Sequence, residues 1–176
     1  MFDFYVAFTF DESTNEKILA LRNFLEDCGY ETKKMPHITI ELFEGISEKE
    51  LITSIDRFIS EIDFPPFQFV EVDNFDKKVL YLKPDNVQIL EEINKLFNHH
   101  LGKYRFKNNA NKGEYKPHMT LISGDKDIES AQTILENYFN PFAARVESLQ
   151  LHSRENGLIK SYDLNLKKAL PNVELK

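Results

Sequence analysis

Apolar residues recur at helical spacing in four segments of the chain, and each segment starts or stops at residues typical of helix ends. Residues 13–16, Ser-Thr-Asn-Glu, and residues 47–50, Ser-Glu-Lys-Glu, have the pattern of a capping box. Gly29 is a typical helix stop, and the pair Asn140-Pro141 breaks a helix. The pattern predicts four amphipathic helices, over residues 13–28, 47–62, 86–101 and 127–138.

Seven shorter runs rich in apolar and β-branched residues alternate with these helices and are typical of strands. The last two runs are separated by Asn156-Gly157, a strong signal for a β-hairpin. Because helices and strands interleave and the chain ends in hairpin strands, the predicted fold class is α+β with antiparallel sheets. The predicted strands span residues 4–10, 37–43, 67–72, 79–83, 118–123, 145–151 and 158–166.

The order strand, helix, strand, helix occurs twice, beginning near Phe4 and again near Val79. In each pass the second strand opens with the same motif, Pro-His-x-Thr, at residues 36–39 and again at residues 117–120. Two such copies would arise by chance on the order of once in 10⁵–10⁶ sequences of this composition. The pattern indicates an internal duplication of one supersecondary unit.

Strand geometry places the histidine and the threonine of each motif on one side of the sheet, because side chains alternate between the two faces. His37 and Thr39 therefore share one face, as do His118 and Thr120. A single motif of this kind would be interpreted as a half-buried strand histidine. Two matched copies instead favour a site that uses both histidines.

Two facing histidines suit displacement at phosphorus, which needs a base on the incoming oxygen and an acid on the leaving oxygen. Imidazole titrates near neutral pH, so one ring can accept a proton while the other donates one. The neighbouring threonine hydroxyls can donate hydrogen bonds to the non-bridging oxygens, where charge accumulates. A cyclic phosphodiester is a natural substrate, and the scheme requires neither a metal nor another cofactor.

Composition limits the other classes of function. The chain has 176 residues, enough for a single domain over residues 1–176, and a net charge of −7, which argues against coating duplex DNA. Its single cysteine, Cys28, excludes an intramolecular disulfide. No apolar run approaches the roughly 20 residues that span a bilayer, so a soluble cytoplasmic protein without membrane contact is expected. A monomer is expected, although the sequence leaves the oligomeric state open.

One stretch departs from the acidic average, the segment 103–116 before the second motif, with five basic residues against one acid. It is interpreted either as a solvated loop or as a basic rim that attracts a polyanion. In the second interpretation Arg105 and Lys107 bind substrate, and Tyr115 stacks on a base or packs.

A metal site is the weaker alternative for the histidines. Neither motif has a second His or Cys at the short spacing that zinc sites use, although strict alternation would place Glu41 beside His37 and Thr39 as a third ligand. The pair His99-His100 is interpreted as structural, at a helix end. His152 follows a predicted strand and could reach the rim of the site.

The paired motifs resemble the 2H phosphoesterase superfamily, which includes bacterial RNA 2′,3′-cyclic phosphodiesterases, also called 2′-5′ RNA ligase-like proteins. The resemblance implies a bilobal fold with two pseudo-symmetric lobes, in which two antiparallel sheets line a central cleft and helices lie outside. It also implies that His37 and His118 form the acid/base pair and that Thr39 and Thr120 bind phosphate. In that scheme His118 activates water and His37 protonates the leaving oxygen.

The function expected from the resemblance is hydrolysis of 2′,3′-cyclic phosphate ends of RNA or of small nucleotides, without a metal. Two alternatives stay open. One is cleavage or ligation of 2′-5′ linkages in RNA or oligonucleotides, and the other is a non-catalytic module that binds RNA ends or nucleotides.

Overall fold

The computed structural model describes residues 1–33, 35–64, 66–107, 114–124, 127–164 and 168–169. Two features predicted from the sequence lie partly outside these ranges: residues 108–113 of the basic segment 103–116, and the last two residues of the predicted strand 158–166. Within the described residues, no helix combines the length and the apolar character needed to cross a lipid bilayer.

Four α-helices form where the periodicity predicts them: α1 Glu12–Asp27, α2 Glu48–Phe58, α3 Val87–Leu101 and α4 Ile128–Tyr138. Ser47 caps α2 as predicted, because its side chain accepts a 3.2 Å hydrogen bond from the backbone N–H of Glu50. The cap predicted for α1 is wrong. Asp11, not Ser13, accepts the bond from the backbone N–H of Thr14, so the helix already begins at Glu12.

Nine strands occur among the described residues, and their bounds follow in chain order: β1 Phe4–Phe10, β2 Ile38–Phe43, β3 Phe67–Phe75, β4 Val79–Pro84, β5 Met119–Ser123, β6 Phe142–Ala144, β7 Val146–Ser153, β8 Gly157–Asp163 and β9 Lys168–Ala169. The predicted α+β class is confirmed. The short edge strands β6 and β9 were not predicted from the sequence, and β3 extends three residues beyond its predicted end.

All the strands join in one antiparallel sheet, in the order β6-β3-β4-β5-β2-β1-β7-β8-β9. The expectation of two separate sheets is therefore wrong. The halves meet where β2 pairs with β5, and this joint has a single pair of opposed residues, Ile38 and Met119. The order is symmetric about the joint: β1 and then β7 follow β2 on one side, and β4 and then β3 follow β5 on the other.

The two faces of the sheet differ in polarity. One face carries the apolar side chains, which merge with the helices in a single hydrophobic cluster that includes Phe8, Ile40, Leu80 and Leu121. The other face, which we call the polar face, carries side chains such as Thr9, Ser148 and Gln150 at the alternate positions. The apolar face supplies the burial that holds the fold together, and the polar face is left for the site.

Candidate active site

The two His-x-Thr motifs lie side by side at the joint of the sheet. Ile38 pairs with Met119 in antiparallel register, so His37 lies across from Thr120 and His118 lies across from Thr39. Ile38 and Met119 are fully buried in the hydrophobic cluster, so the two histidines and two threonines share the polar face. The histidines occupy diagonal positions, for which the register implies Cβ atoms about 7–8 Å apart.

Each motif histidine is held in one tautomer by a backbone carbonyl two residues earlier. The Nδ1 atom of His37 lies 2.9 Å from the carbonyl oxygen of Met35, and that of His118 lies 2.7 Å from the carbonyl oxygen of Lys116. A carbonyl oxygen can only accept, so Nδ1 carries the proton in each neutral ring. The Nε2 atom of each ring is therefore the nitrogen available for proton transfer.

Both motif histidines have a lowered pKa. Burial is the main cause for each ring, and the hydrogen bond from Nδ1 opposes it. The charge of Arg22 lowers the pKa of His37 further, and His37 itself lowers that of His118. Because two nearby rings resist carrying two charges, the pair titrates as a coupled unit and is mainly neutral at pH 7.

The second motif histidine is surrounded by aromatic rings. Phe75 and Tyr81 stack on each other with centroids 4.2 Å apart, and His118 meets them edge-on at 4.8 and 5.3 Å. The Tyr81 hydroxyl donates a 3.1 Å hydrogen bond to Asp73, and burial raises the pKa of Tyr81, so this tyrosine stays neutral. The rings explain the burial that lowers the pKa of His118.

The first motif histidine has a different neighbourhood, which includes a third histidine. Tyr5 lies 6.1 Å from His37 between ring centroids and stacks in parallel on His152 at 4.8 Å. The Nε2–H of His152 donates a 2.9 Å hydrogen bond to Gln150. Burial and the charge of His37 lower the pKa of His152 to about 4. The suggestion that His152 reaches the site is supported by these contacts, although its 6% exposure makes it a supporting residue.

A cavity of about 420 Å³ opens beside His118 in the second half of the sheet. Its wall combines aromatic rings with charged side chains and includes Pro117 of the second motif. The residues of the wall that bear on recognition are Asp73, Phe75, Tyr81, Lys83, Glu91 and Tyr115. This volume accommodates a group the size of a nucleoside, and the aromatic walls suit a planar ring.

Both motif strands carry a β-bulge immediately after the threonine. Opposite β1 the extra residue is Ile40, and opposite β4 it is Leu121, so the bulges occupy equivalent places. A bulge breaks the alternation of side chains. As a result Glu41 points to the helices, is only 7% exposed and accepts a 3.1 Å hydrogen bond from Asn94 of α3. The expectation that Glu41 extends the face of His37 and Thr39 is wrong.

The described parts of the basic segment, residues 103–107 and 114–116, contact β2. Arg105 forms a 3.2 Å ion pair from its Nε atom to Glu41, and the Tyr115 hydroxyl donates a 3.0 Å hydrogen bond to the carbonyl of Thr39. Tyr115 thus contacts the backbone of the first motif and also lines the cavity. Lys107 is exposed at the end of a described range, and Lys116 is exposed beside the cavity.

No cluster of metal ligands is seen in the part of the chain that the structure describes: no three His, Cys, Asp or Glu side chains are grouped closely enough to hold an ion. His99 and His100 lie away from the motifs, at the end of α3, where His100 stacks on Phe58 with centroids 4.5 Å apart. His100 thus packs against α2, whereas His99 is exposed and meets the ring of His100 edge-on at 5.0 Å.

The fold and the site together define a class of protein: an α+β chain whose antiparallel sheet carries two His-x-Thr motifs side by side on its polar face. The family model described as the 2′-5′ RNA ligase superfamily matches residues 10–158, and the chain belongs to this superfamily. The resemblance to 2H phosphoesterases, inferred from the motifs, is confirmed. No curated protein matches the chain in sequence.

Solved structures of low sequence identity share the fold. The ns2 PDE domain of MHV is 16% identical, with a TM-score of 0.62 over 87% of this chain and 99% of that domain. TT0787 of Thermus thermophilus is 13% identical, with a TM-score of 0.59 over 92% of this chain and 97% of that protein. E. coli LigT complexed with 3′-AMP is 14% identical, with a TM-score of 0.55 over 92% and 96%. At these identities the likeness concerns the fold alone.

Proposed function

We propose that the protein is a phosphodiesterase that hydrolyses the 2′,3′-cyclic phosphate ends of RNA or of small nucleotides, with His37 and His118 as its acid and base. The observation that carries the proposal is the matched state of these two rings. Each is mainly neutral, is fixed by a backbone acceptor at Nδ1 and has Nε2 left for proton transfer on the same face of the sheet. Membership of the 2′-5′ RNA ligase superfamily supports the same chemistry.

In the proposed reaction, Nε2 of His118 takes a proton from water as the water oxygen bonds to phosphorus. The bond from phosphorus to one ribose oxygen breaks, and Nε2 of His37 gives that oxygen a proton. The product is a phosphomonoester beside a free hydroxyl, and proton exchange with solvent restores the two rings. Thr39 and Thr120 donate hydrogen bonds to the non-bridging oxygens, where negative charge grows in the transition state.

The anionic substrate favours protonation of the acid, which takes its proton from solvent. Both rings are mainly neutral in the free protein, yet one must be protonated to act as an acid. A phosphodiester anion close to an imidazole favours its charged form and raises its pKa. Binding of the substrate therefore draws a proton onto His37 while His118, against Phe75 and Tyr81, stays neutral as the base.

The nucleoside of the substrate is proposed to occupy the cavity beside His118. Its volume of about 420 Å³ and its aromatic wall suit a base and ribose, whereas a free phosphate would leave it unfilled. Tyr115 and Tyr81 bound this space. E. coli LigT, which shares the fold, was crystallised with the nucleotide 3′-AMP. The proposed substrate is therefore a nucleotide end and not a small phosphodiester.

The test measures hydrolysis of a 2′,3′-cyclic mononucleotide in excess EDTA by wild type, His37→Ala and His118→Ala. Each variant is expected to lose about 10²–10⁴-fold in kcat, because each loses its acid or its base. His99→Ala is the matched control, since that ring is remote from the motifs and should leave the rate unchanged. The pH profile of kcat/KM is expected to be bell-shaped with its maximum below pH 6.5, because both pKa values are lowered.

Unchanged activity in both alanine variants would reject the mechanism, as would complete loss of wild-type activity in EDTA. Turnover of 2′-5′ oligonucleotides, or their formation from cyclic-phosphate ends, would assign the site to the second activity. Saturable binding of cyclic-phosphate ends without turnover would identify a binding module instead.

A further inference from the structure

The carbonyl groups at the two bulges are bonded by donors from the opposite half of the chain. We call β1-α1-β2-α2 the first unit and β4-α3-β5-α4 the second unit. Four bulge carbonyls, two in each motif strand, accept hydrogen bonds across this division. The donors are Tyr115 to Thr39 at 3.0 Å, Asn94 to Ile40 at 2.7 Å, Arg22 to Thr120 at 3.4 Å and the backbone N–H of Lys33 to Leu121 at 2.9 Å.

Two of these donors occupy equivalent positions on equivalent helices. Buried apolar residues of α1 and α3 follow the same spacing around them, namely Ile18, Leu21 and Leu25 in α1 and Leu90, Ile93 and Phe97 in α3. Arg22 and Asn94 fall at matching places within these patterns, and each crosses to the motif strand of the other unit. Because β2 and β5 share only one opposed pair, these crossed contacts fix the relative position of the two motifs.

The two equivalent donors, Arg22 and Asn94, differ in charge. Of the four donors, Arg22 alone uses a charged group, and it is only 2% exposed. Burial lowers the pKa of Arg22 to about 10, so its guanidinium stays protonated at neutral pH. It lies on the helix side of the sheet, within 4.0 Å of the sulfur of Met119. A buried cation therefore sits directly behind the second motif.

We propose that Arg22 is a positioning residue of the phosphate site: it anchors the Thr120 end of the second motif from behind the sheet and supplies a fixed positive charge to the face that receives phosphate. A cation in a poorly hydrated environment acts on an anion more strongly than an exposed one does. No water has to reorganise when charge develops on the phosphate oxygens. The expected effect of Arg22 on the rate rests on the proposed function, whereas its expected effect on the pKa of His37 does not.

The effect on His37 provides that independent readout. The described titratable groups that face His37 from neighbouring elements are Tyr5 of β1, Arg22 of α1, His118 of β5 and His152 of β7. Burial raises the pKa of Tyr5 and lowers those of both histidines, so Arg22 is the member of this group that is charged at neutral pH. Loss of its charge should therefore raise the pKa of His37.

The experiment titrates the histidines of wild type, Arg22→Gln and Arg22→Lys by NMR and measures their rates on a 2′,3′-cyclic mononucleotide. In Arg22→Gln the pKa of His37 is expected to rise by about 0.3–1 unit, and kcat is expected to fall about 10-fold or more with little change in KM. Arg22→Lys keeps the charge, so the pKa of His37 should stay at the wild-type value and most of the rate should be retained. Lys17→Gln, which removes an exposed cation from the same helix, is the matched control.

An unshifted His37 in folded Arg22→Gln would overturn the proposal, as would equal losses of rate in the Gln and Lys variants. If Arg22→Gln does not fold, Arg22→Met, of similar length and without charge, takes its place in the titration. Failure of the proposed function would show as rates that do not depend on His37 or His118. The NMR titration would still decide the electrostatic part.

Discussion

At the scale of single residues, the motif histidines gain their tautomer and their orientation from backbone carbonyl groups. The proline before each histidine favours an extended backbone, and the carbonyl two residues before the histidine then meets its Nδ1 atom. No carboxylate is needed to orient either ring. These hydrogen bonds by themselves favour the charged ring, but burial outweighs them and keeps the pair mainly neutral until an anion arrives.

The threonines are the residues whose contribution is easiest to isolate. We expect Thr120→Val to lower kcat/KM about 10–100-fold, because an isosteric side chain without a hydroxyl cannot donate to the phosphate oxygens. Thr120→Ser should restore most of the rate. Thr9→Val is the control, since Thr9 lies on the same polar face but bonds Ser148 at 2.6 Å. Steady-state kinetics that show equal losses in the Ser and Val variants would contradict this role.

The motif residues could be predicted from the sequence, because the spacing His-x-Thr on a strand fixes their common face. Arg22 could not, since it sits within an ordinary pattern of apolar helix positions and its partner, Thr120, is 98 residues away in the chain. For His152 the sequence showed only that the residue follows a predicted strand. Its place beside the site comes from its stacking on Tyr5, which requires that β1 and β7 are neighbours in the sheet. Long-range contacts of this kind leave no local signal.

At the scale of the elements, the bulges decide what each motif strand presents to its surroundings. Alternation alone predicts Glu41 on the face of the histidines, but the extra residue Ile40 turns it towards α3. The run of residues 40–43 is compatible with either register, so sequence pattern could not locate the bulge. The buried carboxylate then gives Arg105 a structural partner, whereas the sequence suggested either a solvated loop or a contact with substrate.

Arg105→Gln tests which of these roles dominates. We expect the free energy of unfolding to fall by about 1–3 kcal/mol, because the buried Glu41 carboxylate would lose an ion pair in a poorly hydrated place. Adding Glu41→Gln should recover part of the loss. Urea unfolding measures both effects, with the exposed neighbour Lys107→Gln as the control. Wild-type stability together with a 10-fold higher KM would instead identify Arg105 as a substrate-binding residue.

At the scale of the whole molecule, the fold is one sheet made from two similar halves that meet through one opposed pair. The predicted helices and the predicted class are present, and seven of the strands lie at or near their predicted places. The continuity of the sheet could not be predicted, because the joint pairs residues that are distant in the chain and lie in separate units. As a consequence, the candidate site lies at the joint between the halves, together with the half-buried His37 and His118 and the buried His152.

This concentration of neutral histidines should make the stability of the fold depend on pH. His37, His118 and His152 all have a pKa below that of the unfolded chain, so the unfolded state binds more protons in acid. Stability is therefore fully present above about pH 6.5 and is lost as the pH falls below it. His152, with a pKa of about 4, should contribute on the order of 2 kcal/mol to the loss between pH 8 and pH 5. Urea unfolding at these two pH values measures the total. His152→Gln, which cannot titrate, should show a smaller difference, and a difference equal to that of wild type would contradict the assignment.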